Sequence, residues 1–396
     1  MTLLDASLDA AALQGRVHAL VSTHPPSEVA PERFWSARFD AGLASVDLPV
    51  GLGGLGADPA LQPVVDAALA AAGAPRIEER NLIGVQMMAP TIGAFGTADQ
   101  AERWLRPAFT GAEIWCQLFS EPGAGSDLAS LSTRAVQHDD GSWRLDGQKV
   151  WTTLAHLADR AICIARTDPT VAKHKGLTFF AVDMHAAGVE VRPLRQISGE
   201  AEYNEVFLTD VVVPDADRIG APGSGWSVTM ATLASERSVV ADMASGAAMD
   251  VLLDRLRATW AAADSSRRTA AHRDRVARLF VEATVVGLTA VRPELPPSMT
   301  KIGYGELAQR LAEACLDLAG PAGALVDHYD LTQPDRFTHV GGAADDELHP
   351  TKAFLVAQAL TIAGGTTNVN KNVLAERVLG LPPEPRPPAP QPRSPS

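Results

Sequence analysis

Residues 115–131 read WCQLFSEPGAGSDLASL, and at this stretch the chain changes character. A strand-like run ends at Ser120, and Pro122, Gly123, Ala124, Gly125, Ser126 and Asp127 then make a tight polar loop. Upstream, residues 1 to about 112 are rich in Ala and Leu at helical spacing, as in ALQGRVHALV and PVVDAALAAAG. Downstream, to about residue 222, alternating stretches such as WRLDGQKVW, ADRAICIAR, LTFFAVDM, VEVRPL and NEVFLTDVVV are broken by Gly, Asp and Pro, a pattern that predicts short antiparallel strands. From Gly225 the helical pattern returns, and a last helix is predicted from Asn368 to Val378, stopping at Gly380 before a proline. The segment PPEPRPPAPQPRSPS cannot build a packed core and is expected to be disordered. The pattern therefore predicts a mainly α protein with a β domain in the middle. Its parts are an N-terminal helical domain over 1–112, a middle antiparallel β domain over 113–222, a C-terminal helical bundle over 223–381 and a Pro-rich tail over 382–396.

Bulk properties agree. A chain of 396 residues exceeds the ~250–300 residues at which single cores stop growing, so two or three subdomains are expected. A formal charge of −13 argues against nucleic acid or anionic membrane as partner. Any anionic ligand must then be met by local cations or backbone N–H groups. Cys116, Cys163 and Cys315 are far apart and form no CxxC, so neither a disulfide framework nor a metal site is expected. The acidic, amphipathic N-terminal stretch lacks the basic region of a signal peptide, and no apolar run approaches membrane-spanning length; a cytoplasmic protein is expected. VGLGGLGADP carries Gly51, Gly53 and Gly56 in GxGxxG spacing, but its helical surroundings lack the βαβ alternation that dinucleotide binding needs, so it reads as a turn.

Three segments carry candidate chemistry. In the opening loop, backbone N–H groups with Ser120 and Ser126 hydroxyls suit close approach to a flat or phosphorylated ligand. In LDGQKVWTTLAHLAD, residues 145–159, strand alternation puts Trp151 and Thr153 on one face, where an indole and a hydroxyl can meet the face and edge of a heteroaromatic ring. In APGSGWSVTMATLASERSVV, residues 221–240, Glu236 and Arg237 sit about three turns into a long helix. Taken singly, these are also a Gly-rich turn, a core Trp beside a surface Thr, and a solvated helical ion pair.

Taken in order, SEPGAGSD, GQKVWTT, GSGW with ER, and finally GGTTN with AERVLGLP resemble the acyl-CoA dehydrogenase family over roughly residues 80–382. The resemblance implies an N-terminal helical domain, a middle β domain and a C-terminal four-helix bundle. It further implies FAD as cofactor and oxidation of an acyl-CoA to its trans-2-enoyl thioester, with electrons passed to an electron-transfer flavoprotein or similar acceptor. By similarity, Ser120 and the backbone near Phe119 meet the flavin pyrimidine, Trp151 packs on the isoalloxazine, and Thr153 reaches N5. Ser126 matches a position on the CoA side of the substrate. Gly365, Thr366 and Asn368 belong to the turn that meets the FAD phosphates or adenosine, and Arg237 lies at the base of the site.

Many relatives carry their catalytic glutamate just before the Gly-Thr of the last motif, where this chain has Gly364. One branch carries it on the first long helix of the bundle, just before the arginine, and Glu236 matches that position. The resemblance then implies Glu236 as base, with a pKa raised by an apolar pocket, and the Gly364 N–H as a donor to the thioester carbonyl. The stretch LRATWAAADSSRRTAAHRDRVARLF lacks the Arg-x-x-Phe-Gly element that reaches a neighbouring subunit's FAD, and Asp317 stands where relatives have Gln. Arg267, Arg268, Arg273 and Arg275 are substitutes for phosphate contacts or a solvated basic face. A homodimer or homotetramer is expected, or a heteromer in which this chain has an incomplete FAD site; an acyl-carrier-protein substrate and monooxygenase chemistry are further alternatives. RNLIGVQMMAPTIGAFG, residues 80–96, is a candidate wall for the acyl group, with Gly93 and Ala94 leaving room for bulk.

Overall fold

Local signals set the helix starts. Asp9 accepts the Ala12 N–H at 2.8 Å to open α1, Ala10–Thr23. A reciprocal Thr97–Gln100 capping box opens α6, Ala98–Thr110, and Gly111 closes it at φ 71°. Between them lie α2 (Pro31–Asp40), α3 (Gln62–Ala71), α4 (Glu78–Ile83), a π-helical turn (Gly84–Met88) and α5 (Ala89–Phe95). The computed structural model describes residues 8–292, 294–326, 330–337 and 349–383, so the tail expected over 382–396 lies outside the described residues beyond its first two positions. The chain forms two compact units, residues 1–239 with 326–347 and residues 240–325 with 348–396.

In the first unit, the helices share one apolar core with one face of a sheet. The strands are β1 (Trp115–Leu118), β2 (Arg134–Gln137), β3 (Trp143–Thr153), β4 (Arg160–Arg166), β5 (Leu177–Asp183), β6 (Val189–Pro193), β7 (Tyr203–Val213) and β8 (Arg218–Ile219). They run in the order β6-β7-β3-β2-β4-β5-β8, with β1 beside β4. Pairing is antiparallel as expected except at β1–β4 and the single β2–β4 contact, which are parallel. The strands β4 and β5 are buried on both faces, which explains why LTFFAVD does not alternate: Ile162, Ile164 and Phe179 meet the helical core with Trp104 and Trp115, while Cys163, Phe180 and Val182 meet the opposite sheet face with Trp143 and Val206. Gly51, Gly53 and Gly56 all take positive φ in the connection between α2 and α3, a turn as read from the sequence.

The helix α7, Gly225–Ser245, leaves the sheet. A Cβ on Gly225 would come within 2.7 Å of Leu177 and Thr178 backbone, and the Gly223 N–H donates to Thr178 Oγ1 at 3.0 Å. The GxGW motif is thus the condition for seating this helix end directly on β5.

In the second unit, α8 (Ala247–Ala262), α9 (Ala270–Ala290) and α10 (Pro297–Ala319) surround a core built on Tyr304, Leu307, Leu311, Cys315 and Leu318 of α10. Two further helices follow, α11 (Pro350–Ala357) and α12 (Thr367–Val373), the latter widening into a π-helical turn over Leu374–Val378. On α9, Val281, Val285 and Leu288 make an exposed apolar stripe at helical spacing, with Val291 just beyond. No helix among the described residues is long and apolar enough to cross a membrane.

Candidate functional site

The opening loop is organised from beneath by a buried ion pair. Lys149 Nζ donates to Glu121 Oε1 at 2.9 Å, Phe119 O at 3.0 Å and Ile164 O at 2.9 Å, so all three ammonium protons have acceptors. Glu121 also accepts from Ser132 N and Oγ at 2.7 Å and from Thr133 N at 2.9 Å. Burial alone would push the Glu121 carboxyl up, but the Lys149 charge and these hydrogen bonds win and hold it at about 2. The pair fixes the Phe119 carbonyl and leaves the Ser120 side chain half-buried above it. Phe119 itself is buried edge-on against Phe179, at 5.6 Å between ring centroids. Ser126 is exposed, and Asp127 beside it is tied to Lys173 at 2.7 Å. Atoms added at Gly123 or Gly125 would meet nothing within 4 Å, so this part of the loop faces open space.

Strand alternation does not by itself place Trp151. Lys149 pairs with Val206 and Thr152 with Asn204, so three steps on β3 oppose two on β7. The extra residue makes a β-bulge in which Trp151 takes φ 60°, a left-handed conformation costly for a bulky side chain. The result is an indole left 59% exposed between buried Val150 and Thr152. Thr153 is half-buried, and Tyr203 lies edge-on to Trp151 at 6.0 Å. An uncovered indole, next in the chain to Val150, whose N–H donates to Ser120 O at 2.9 Å, fits a flat heteroaromatic ring.

Glu236 and Arg237 are half-buried on α7 rather than fully solvated. Burial, and then the Glu202 and Glu236 carboxylates, push the Tyr203 phenol up, so Tyr203 stays protonated beside them. Burial draws Arg237 down from its usual range, opposed by the charge of Glu236. The structure thus brings Trp151, Tyr203 and Glu236 into one neighbourhood of the first unit.

In the second unit, Gly364 and Gly365 take φ 67° and 83°, which explains two glycines in the turn. Thr366 caps α12 by accepting the Val369 N–H at 3.2 Å, leaving its own proton available to donate. Asn368 is exposed. The residue that shapes the turn is Asn370, 2% exposed, whose amide donates to the carbonyls of Gly364, Gly365 and Thr366 at 3.3, 2.8 and 3.2 Å. Of the arginines considered for phosphate contacts, Arg275 pairs with Asp317 and with Glu313 at 3.0 Å, and Arg267 donates to the Asp317 carbonyl at 3.4 Å. Both are committed to the end of α10.

Sequence reasoning missed Lys149, Glu121, Tyr203 and Asn370. Lysine and glutamate are usually solvent-facing; the available signal was Lys149 inside a strand whose neighbours are buried. Gly93 and Ala94 prove exposed, and the cleft on this helix lies one to two turns earlier, at Val85, Gln86, Ala89 and Pro90.

These features define a class: a helical–sheet–helical chain whose middle sheet presents an aromatic platform beside a carboxylate-bearing helix. Sequence comparison narrows it. The N-terminal, middle and C-terminal domain profiles of acyl-CoA dehydrogenases match residues 12–112, 116–211 and 223–379. The chain is 37% identical to the acyl-CoA dehydrogenase IpdE1 of Mycobacterium tuberculosis over 89% of this chain and 88% of that protein. It is 41% identical to the acyl-CoA dehydrogenase FadE34 of the same organism over 87% of this chain, yet spans only 46% of FadE34. The ChsE4–ChsE5 complex from M. tuberculosis shares the fold at a TM-score of 0.70 and 24% identity, over 97% of this chain and 100% of the matched chain. The chain belongs to the acyl-CoA dehydrogenase family, whose members are FAD flavoproteins.

Proposed function

We propose that this chain is an FAD-dependent acyl-CoA dehydrogenase with Glu236 as its base. The observation that carries the reading is the grouping of exposed Trp151, protonated Tyr203 and half-buried Glu236. FAD, when bound, supplies the acceptor for the two electrons and the hydrogen leaving Cβ. Trp151 and the Thr153 and Ser120 hydroxyls hold and orient the ring system. The Glu236 carboxylate takes the α-proton, and the electron pair left at Cα forms the Cα–Cβ double bond as the β-hydrogen departs with its own pair. Residue 364, a glycine, has no side chain to accept that proton. A positioned base typically contributes ~10²–10⁴-fold. Glu236→Gln should therefore lower turnover by at least about a hundredfold with flavin content unchanged, read as anaerobic bleaching of the flavin with an enoyl-CoA product. Near-normal bleaching would remove Glu236 from the role.

A second reading makes this chain one subunit of a heteromer whose partner completes the FAD site. The commitment of Arg267 and Arg275 to Asp317 favours it, since those cations are then not left for a diphosphate. The exposed stripe of Val281, Val285 and Leu288 supports assembly of one kind or the other. Purification of the chain alone separates the two readings: a yellow protein reduced by an acyl-CoA supports the first, and a colourless one that gains colour only with a partner supports the second.

A further inference from the structure

A cleft of about 220 Å³ opens in the first unit between the connection after α2 and the π-helical turn. Its wall includes Ser45, Asp47, Leu48, Gln86 and Ala89, together with Ser235, the residue before Glu236 on α7. The polar groups of this wall are set by buried structure. Asn81, 1% exposed, donates to Ala108 O and Glu113 O at 2.9 Å and accepts from Trp115 N at 2.8 Å. A Cβ at Gly84 would lie 2.5 Å from the Asn81 amide, so the wide turn is seated on a side chain that cannot move aside. Wide turns of this kind insert a residue and re-aim the side chains that follow, often at functional sites. Here Gln86 is half-buried at the cleft, and its amide has no hydrogen bond among the described residues. On the facing side, Asp47 accepts the Ser45 hydroxyl at 2.6 Å through Oδ1 and stays exposed.

We propose that this cleft receives the far part of the acyl group and selects a neutral chain carrying a hydroxyl or carbonyl oxygen, read by Gln86, while Asp47 turns away chains ending in a carboxylate. The proposal rests on the acyl thioester reading above. A primary amide offers two donors and an acceptor. A plain alkyl chain entering the cleft would strip water from that amide and return nothing, which is how sites built around a polar group reject the analogue lacking it. A carboxylate would bring a like charge toward Asp47 with no described cation in the wall.

The test compares ω-hydroxyoctanoyl-CoA, octanoyl-CoA and the CoA monothioester of suberic acid by kcat/KM. In parallel, calorimetry measures Kd for the S-octyl and S-(ω-hydroxyoctyl) thioethers of CoA, which cannot be dehydrogenated as thioesters. One hydrogen bond of ordinary strength predicts a preference of about tenfold for the hydroxylated member in both measurements. Gln86→Leu should abolish or reverse it, and Asp47→Asn should raise kcat/KM for the suberyl thioester about tenfold relative to octanoyl-CoA. Equal ratios in the wild type and in Gln86→Leu would overturn the proposal. If no acyl-CoA bleaches the flavin, the dehydrogenase reading falls, and the thioether Kd ratio alone decides the cleft, equal values overturning it.

Discussion

Lys149 Nζ lies 2.9 Å from Glu121 Oε1 with side-chain exposures of 0% and 3%, and the same ammonium joins the end of β1 to β4 through Phe119 O and Ile164 O. A single charge thus ties the loop before SEPGAGSD to the strand that carries Trp151. Removing one partner leaves the other buried without its counter-charge, which typically costs ~3–5 kcal/mol. Lys149→Met is expected to lower unfolding stability by about that much, measured by urea titration. The pair replacement Lys149→Met with Glu121→Gln should recover roughly half of the loss, because no net charge then remains buried. Equal stability of Lys149→Met and wild type would show that the pair is not what holds this junction.

The same carboxylate predicts an acid limb. Glu121 is held at about 2 in the folded chain, below the ~4.3 of an unperturbed glutamate. A depressed carboxyl contributes stability that is present above its unfolded value and lost as pH falls toward its folded value. Urea midpoints should therefore fall between about pH 4.5 and pH 2, and the slope there should flatten when Lys149→Met and Glu121→Gln are combined. An unchanged slope would place the acid sensitivity on other carboxylates.

Trp151 should separate stability from binding. Its φ of 60° is a conformation that costs a non-glycine residue about 1–2 kcal/mol. At 59% exposure it returns little apolar burial. Trp151→Gly should then raise the stability of the flavin-free chain by roughly 1 kcal/mol while lowering flavin retention, followed by absorbance after gel filtration. If stability and flavin retention fall together, the indole is a packing residue and not a platform.

The order of helices, sheet and helices was legible because period 3.6 and period 2 survive in the helical zones and in β3 and β7. What alternation could not show was the bulge. It presumes an unbroken ladder, and the one-residue slip between Lys149 and Thr152 resets the pattern. A fully buried lysine runs against the usual behaviour of that side chain, so nothing in GQKVW marks the residue that organises the segment. Asn370 was hidden for a related reason: asparagine in GGTTNVN reads as turn chemistry, whereas three carbonyls converging on one amide appear only when the turn closes. The arginines near Asp317 were visible as charge, but a sequence does not show which acid takes them.

Thr91 and Thr232 join the helix after the π-helical turn to α7, one turn before Glu236. Their hydroxyl oxygens are 2.8 Å apart and both are 2% exposed or less. Thr91 Oγ1 also lies 2.7 Å from Met87 O, and Thr232 Oγ1 3.0 Å from Val228 O. Two protons serve three contacts, so the cross-helix bond forms only when one threonine gives up its own helix carbonyl. Replacing either residue by valine ends that bond but lets the remaining hydroxyl turn back to its carbonyl, so each single variant loses the same interaction. The two losses should not add. A double-mutant cycle of Thr91→Val and Thr232→Val is expected to give a coupling of about 0.5–1.5 kcal/mol. Additivity within roughly 0.3 kcal/mol would mean that the hydroxyls bond only within their own helices and that α7 is held here by apolar packing alone.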